Sequence, residues 1–124
     1  MTLWEGRPLA VGLRGRAFGG WRADAAGRWT SAGAFGRGRP DGIPGVRGLV
    51  VAGGAVWAAT TDGFSHALWR SADGGESWRP VTPPVPAPWG AERAVAVLGV
   101  GDELWFLVDD GRSGRLFRAP VADR

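Results

Sequence analysis

A chain of 124 residues is long enough for one domain with its own core, and 22 glycines, 9 prolines and 8 tryptophans suit short strands and tight turns rather than helices. All 15 basic residues are arginine; against 12 acidic ones they leave a formal charge of only +3, too little to single out nucleic acid as a partner. The absence of cysteine excludes a disulfide framework and a thiolate metal site, and no apolar run reaches the length of a leader or a bilayer span.

Taken in order, the chain opens on two short β-like runs, TLWE (Thr2–Glu5) and PLAVGL (Pro8–Leu13). GWRADAAGRW (Gly20–Trp29) follows, with Asp24, Gly27 and Trp29 around a turn. The Gly- and Pro-rich GAFGRGRPDGIPG (Gly33–Gly45) then predicts a crossing between groups of strands. GLVVAG (Gly48–Gly53) and AVWAATT (Ala55–Thr61) read as strands joined at Gly53-Gly54. ALWRS (Ala67–Ser71) and ESWRPV (Glu76–Val81) read as two more, flanking Asp73-Gly74-Gly75, where glycine supplies the φ > 0 of a tight turn. TPPVPAPWGAE (Thr82–Glu92) predicts a second crossing, before AVAVLGV (Ala94–Val100) and LWFLV (Leu104–Val108). The almost wholly apolar AVWAATT and LWFLV suit strands covered on both faces.

These groups repeat. Trp21-Arg22, Trp69-Arg70 and Phe117-Arg118 stand 48 residues apart (69 − 21 and 117 − 69), as do Trp57 and Trp105 (105 − 57). Asp62-Gly63 maps onto Asp110-Gly111 by the same shift. A period of this size suits a four-stranded propeller blade.

Within LWRSADGGESWRPV, the residues Ser71, Asp73, Gly75 and Trp78 fit Ser-x-Asp-x-Gly-x-x-Trp. That stretch resembles the Asp-box, or BNR, repeat of sialidases and of non-enzymatic propellers, including the photosystem II assembly-factor type. The resemblance implies an all-β fold: a partial β-propeller of about 2.5–3 four-stranded antiparallel blades with Asp-box hairpins. The blades fall at about 1–36, about 45–82 and, incomplete, about 93–124 within one repeat domain. Closed propellers have about 4–8 blades. An open stack leaves apolar faces in water, so the expected partner is a second copy closing a ring of about six, or another propeller chain.

In an up-and-down blade the Asp-box turns lie on one rim, and the loops after the second strands share the other with the crossings. The second rim collects the ligand-binding candidates: Arg14, Arg16, Asp62, His66, Asp109, Asp110, Arg112 and Arg115 from hairpin loops. The crossings add Arg37, Arg39, Asp41, Trp89, Glu92 and Arg93. The alternative for these residues is an ordinary solvated loop face. Ser71, Asp73, Gly75 and Trp78 read as structural, because a short polar side chain beside glycine ties its own turn.

Sialidase chemistry, as the resemblance implies it, needs a tyrosine nucleophile and an arginine triad. This chain has no tyrosine and no Arg-Ile-Pro. His66, the one histidine, has only the adjacent Ser65 beside it, which cannot serve a triad. One histidine without cysteine disfavours zinc, and Asp102, Glu103, Asp109 and Asp110 match no EF-hand spacing. GRAFGG (Gly15–Gly20) lacks the following helix that would hold a phosphate. The expectation is a non-catalytic module, without cofactor or metal, recognising a protein or a glycan through the rim opposite the Asp-boxes. The alternative is a fragment or subunit of a glycosidase-like propeller with its catalytic residues on other blades. With no leader visible the cytoplasm is the default compartment, which the sequence does not fix.

Overall fold

The computed structural model describes residues 1–38, 40–82, 94–109 and 113–121, and over these the chain is all β. Sheet 1 is β1 (Thr2–Trp4), β2 (Arg7–Arg14), β3 (Ala17–Ala23) and β4 (Trp29–Phe35) in that order. Sheet 2 is β5 (Gly45–Ala52), β6 (Ala55–Thr61), β7 (His66–Ser71) and β8 (Arg79–Val81), again in chain order. Sheet 3 has three strands, β9 (Ala94–Val100), β10 (Glu103–Asp109) and β11 (Gly114–Pro120). Every pairing is antiparallel between neighbours in sequence, the arrangement that short turns permit.

The first turns of sheets 1 and 2 each hold two consecutive positive-φ residues, and that of sheet 3 holds one. Glu5 and Gly6 have φ of 51° and 79°, Gly53 and Gly54 have 56° and 75°, and Gly101 has 57°. Two consecutive left-handed residues match the twist of the strands they join, which is why such turns select glycine. Glu5 holds this backbone without being glycine, an uncommon conformation for a residue with a Cβ.

Sheet 2 is the middle layer. Its first face packs on sheet 1 through Ala58, Trp69 and Trp78, which meet Phe18 and Phe35. Phe35 lies 5.2 Å from the Trp69 ring and 4.5 Å from Trp78, the latter stacked. Its second face packs on sheet 3, where Ala52, Ala55, Trp57 and Leu68 meet Leu104 and Phe106. Full burial of a large apolar side chain contributes about 1.5–3 kcal/mol, so these two cores bind the three layers together.

The two central strands differ for a reason of position. All seven residues of β6 are buried, as the expectation of cover on both faces requires. In β10 only Leu104, Phe106 and Val108 are buried, while Leu107 is 47% exposed. Both strands are apolar, but among the described residues sheet 3 has a neighbouring sheet on one side only.

Strand ends moved where turn chemistry intervened. β5 begins at Gly45, three residues ahead of the expected Gly48, and β8 begins at Arg79 rather than Glu76. Residues 72–78 stay in the turn because their own side chains hold them there. With three residues and Pro80 at its centre, β8 is also the shortest edge of its sheet.

Candidate functional site

The 71–78 turn is closed from inside. The Ser71 hydroxyl donates to Asp73 Oδ1 at 2.8 Å and accepts from the Gly75 amide at 2.9 Å. Asp73 Oδ1 also accepts from the Ser77 amide at 2.9 Å, and Trp78 Nε1 donates to the Gly75 carbonyl at 3.1 Å. Sheet 1 repeats the device: Asp24 Oδ1 accepts from the amides of Ala26 at 2.8 Å and Arg28 at 2.9 Å. In both turns the carboxylate reaches the amide four residues on, so Asp24 is a working counterpart of Asp73.

Desolvation alone raises the Asp73 pKa. The hydrogen bonds from Ser77 and Ser71 outweigh it and hold the carboxyl below the ordinary 3.8. A depressed folded pKa means stabilisation that is complete above the unfolded pKa and fades as pH falls through the folded one. Asp73→Asn is therefore less stable than wild type at neutral pH, and the gap narrows as pH drops below 3.8. Urea melts at neutral and acid pH check this; a gap independent of pH contradicts it.

The rim expected to recognise a ligand spends several of its side chains on the fold. Arg14 lies flat on sheet 1, donating to the carbonyls of Gly20 at 2.9 Å and Ala32 at 3.2 Å, with its guanidinium 4.7 Å above the Trp21 ring. Asp62 Oδ1 accepts from the amides of Phe64 at 2.8 Å and Ser65 at 2.9 Å, closing the β6–β7 loop. His66 is buried as the first residue of β7, paired with Thr61, rather than standing in that loop. Asp109 and Arg115 are exposed strand residues at the β10–β11 end of sheet 3. Arg16, Arg37 and Asp41 remain exposed in loops. Beside them Ile43 is 85% and Phe64 43% exposed, on two loops in backbone contact at Gly42 and Gly63. Arg39, Trp89, Glu92, Arg93, Asp110 and Arg112 lie outside the described residues.

A concavity among the described residues lies at the opposite end, on the rim of the 71–78 turn. It has a volume of about 500 Å³ and is lined by Trp4, Glu5, Arg7, Arg22, Asp24 and Thr30 over a floor of Pro8 and Leu9. Strand register brings these together. Trp4 pairs with Arg7, Leu9 with Arg22, and Arg22 with Thr30, so the four strands of sheet 1 place them side by side. Arg22 forms an ion pair with Glu76, reaching from sheet 1 to the turn of sheet 2. The Trp4 indole packs so close to Gly74 that a Cβ there would sit 2.6 Å from Nε1. Asp24, one of the lining residues, meets Arg28 at 3.5 Å.

This cleft escaped sequence reasoning. Trp4 stands outside the 48-residue spacing, and Glu5 occupies a turn position where glycine is the usual signal. Among the described residues no group of His, Asp and Glu is placed to hold a metal ion. No family model, curated protein or solved structure matches the chain.

Proposed function

We propose that the chain is a non-catalytic recognition module of the Asp-box propeller type, its three sheets serving as blades, and that the sheet 1 cleft binds a glycan. The cleft lining carries this reading: an indole wall from Trp4 beside the guanidinium groups of Arg7 and Arg22, the carboxylates of Glu5 and Asp24 and the Thr30 hydroxyl. An indole offers a flat apolar face to the C–H side of a sugar ring, and charged groups make the stronger hydrogen bonds to its hydroxyls. A concave site with a few convergent polar groups is the usual form of a small-ligand site. The turn similarity between Asp24 and Asp73, together with three sheets at one repeat spacing, supports the blade reading.

The exposed pair Ile43 and Phe64, next to Arg16, Arg37 and Asp41, favours a second reading, a protein ligand on the opposite rim. One experiment separates the two. Glycan-array screening followed by NMR titration should perturb the Trp4 indole signal and leave Phe64 unmoved. Trp4→Ala should then weaken binding at least about tenfold, as loss of a central aromatic contact does. Retention of no glycan, or binding indifferent to Trp4→Ala, rejects the cleft.

A further inference from the structure

The two outer faces of the stack are the two sides of a junction that the chain already makes twice. On sheet 3, Leu98, Val100, Leu107 and Leu116 are 57%, 48%, 47% and 61% exposed around Trp105. Their counterparts 48 residues earlier (50, 52, 59, 68 and 57) form the face of sheet 2 that sheet 3 covers. There Ala52, Ala59 and Leu68 are each 1% exposed, Trp57 is 5%, and Val50 packs against the same core. Even the cation–π pair recurs, Arg70 at 5.7 Å from Trp57 and Arg118 at 5.8 Å from Trp105.

Sheet 1 presents the other side. Strand alternation puts Pro8, Ala10 and Gly12 on its outer face together with Trp21. Their counterparts are Val56, Ala58, Thr60 and Trp69, the face of sheet 2 that sheet 1 covers; the first three are 0%, 0% and 2% exposed. Among the described residues, no sheet covers the outer face of sheet 3 and none covers that of sheet 1.

We infer that a second copy of this chain covers both. The sheet 3 face of each copy covers the sheet 1 face of the other, closing a two-fold ring of about six sheets, within the range that propellers use. A head-to-tail contact that closes after two copies leaves neither face in water. The repeat also assigns details of the junction. The Gly53 amide donates to the Gly101 carbonyl between sheets 2 and 3 at 3.0 Å; one repeat on, the Gly101 amide meets the Glu5 carbonyl of the other copy. Within the chain, Arg22 of sheet 1 likewise reaches the turn of the next sheet at Glu76. The inference rests on the blade reading of the sheets but not on any ligand. Glycan binding by a monomer would overturn the ring alone.

Light scattering and sedimentation across a wide concentration series test it, using the 124-residue chain. The expected mass is twice the 13.0 kDa of one chain. Leu116→Asp on one face, or Ala10→Arg on the other, should each raise the dimer Kd at least about thirtyfold, the size of a hot-spot loss. Mixing the two variants should restore a pair, because one undamaged junction remains between them. Circular dichroism checks that each variant folds, and Leu107→Asp replaces Leu116→Asp if that one does not. A monomer at every concentration overturns the inference. So does a dimer indifferent to Ala10→Arg, which means two sheet 3 faces meeting each other, or a series of open oligomers beyond two chains.

Discussion

Gly33→Ala is expected to lower the melting temperature by about 10–15 °C, corresponding to about 3 kcal/mol in a domain of this size. Gly33 lies in β4, and its amide donates to the Gly75 carbonyl at 2.8 Å, so sheet 1 touches the 71–78 turn backbone to backbone. A Cβ at this position would stand 2.1 Å from the Glu76 carbonyl oxygen and 2.8 Å from its carbon. Backbone cannot rotate away as a flexible side chain can, so the sheets must part. Parting them breaks the hydrogen bond and loosens the Phe35–Trp78 stack. Overpacking costs about 1–3 kcal/mol, and an unsatisfied buried amide about as much again. A thermal melt within a degree or two of wild type would show that the two layers do not meet at this distance.

Phe106→Ala is expected to cost about 3–5 kcal/mol, the range for emptying a buried aromatic site. Phe106 is 0% exposed and sits among Ala52, Trp57, Leu68 and Leu104 at the junction of sheets 2 and 3. The alanines at 52 and 55 are held by β5 and β6 and cannot swell into the space, so little of the cavity closes. Phe106→Leu keeps most of the volume and should cost no more than about 1.5 kcal/mol. Urea denaturation of the two variants measures the difference. Equal losses for leucine and alanine would mean that the ring shape, not the filled volume, matters at this site.

Much of the architecture was legible because it is repeated or locally determined. The 48-residue spacing placed the sheets, and Asp73 with its glycines placed a turn that the hydrogen bonds reproduce. The Asp24 turn was also readable, although its aspartate stands one residue off the 48-residue spacing (73 − 24 = 49). What was not legible depends on contacts between layers. LWFLV has the composition of a doubly covered strand, and composition says nothing of whether a neighbour is present; among the described residues no sheet covers Leu107, which is exposed. His66 looked like a loop residue because polar side chains often are, yet the pairing with Thr61 draws it into β7. Arg14 looked available for a ligand, but the glycine at position 19 opens a berth in which its guanidinium lies down. The cleft draws on Trp4, Arg22 and Thr30, which only register brings together, and its ion pair to Glu76 spans two sheets.

The brevity of β8 matters beyond the fold. A molecule made of strands carries unpaired backbone along every lateral margin, and any such margin can seed fibrils by accepting strands from neighbours. In β8 the middle residue is Pro80, which has no amide hydrogen to offer, and Arg79 sets a charge beside it. A strand of three residues interrupted in this way gives an incoming chain too few donors to hold in register. Sheet 2, whose strand β6 is buried throughout, is thereby guarded at its β8 margin against amyloid-like growth.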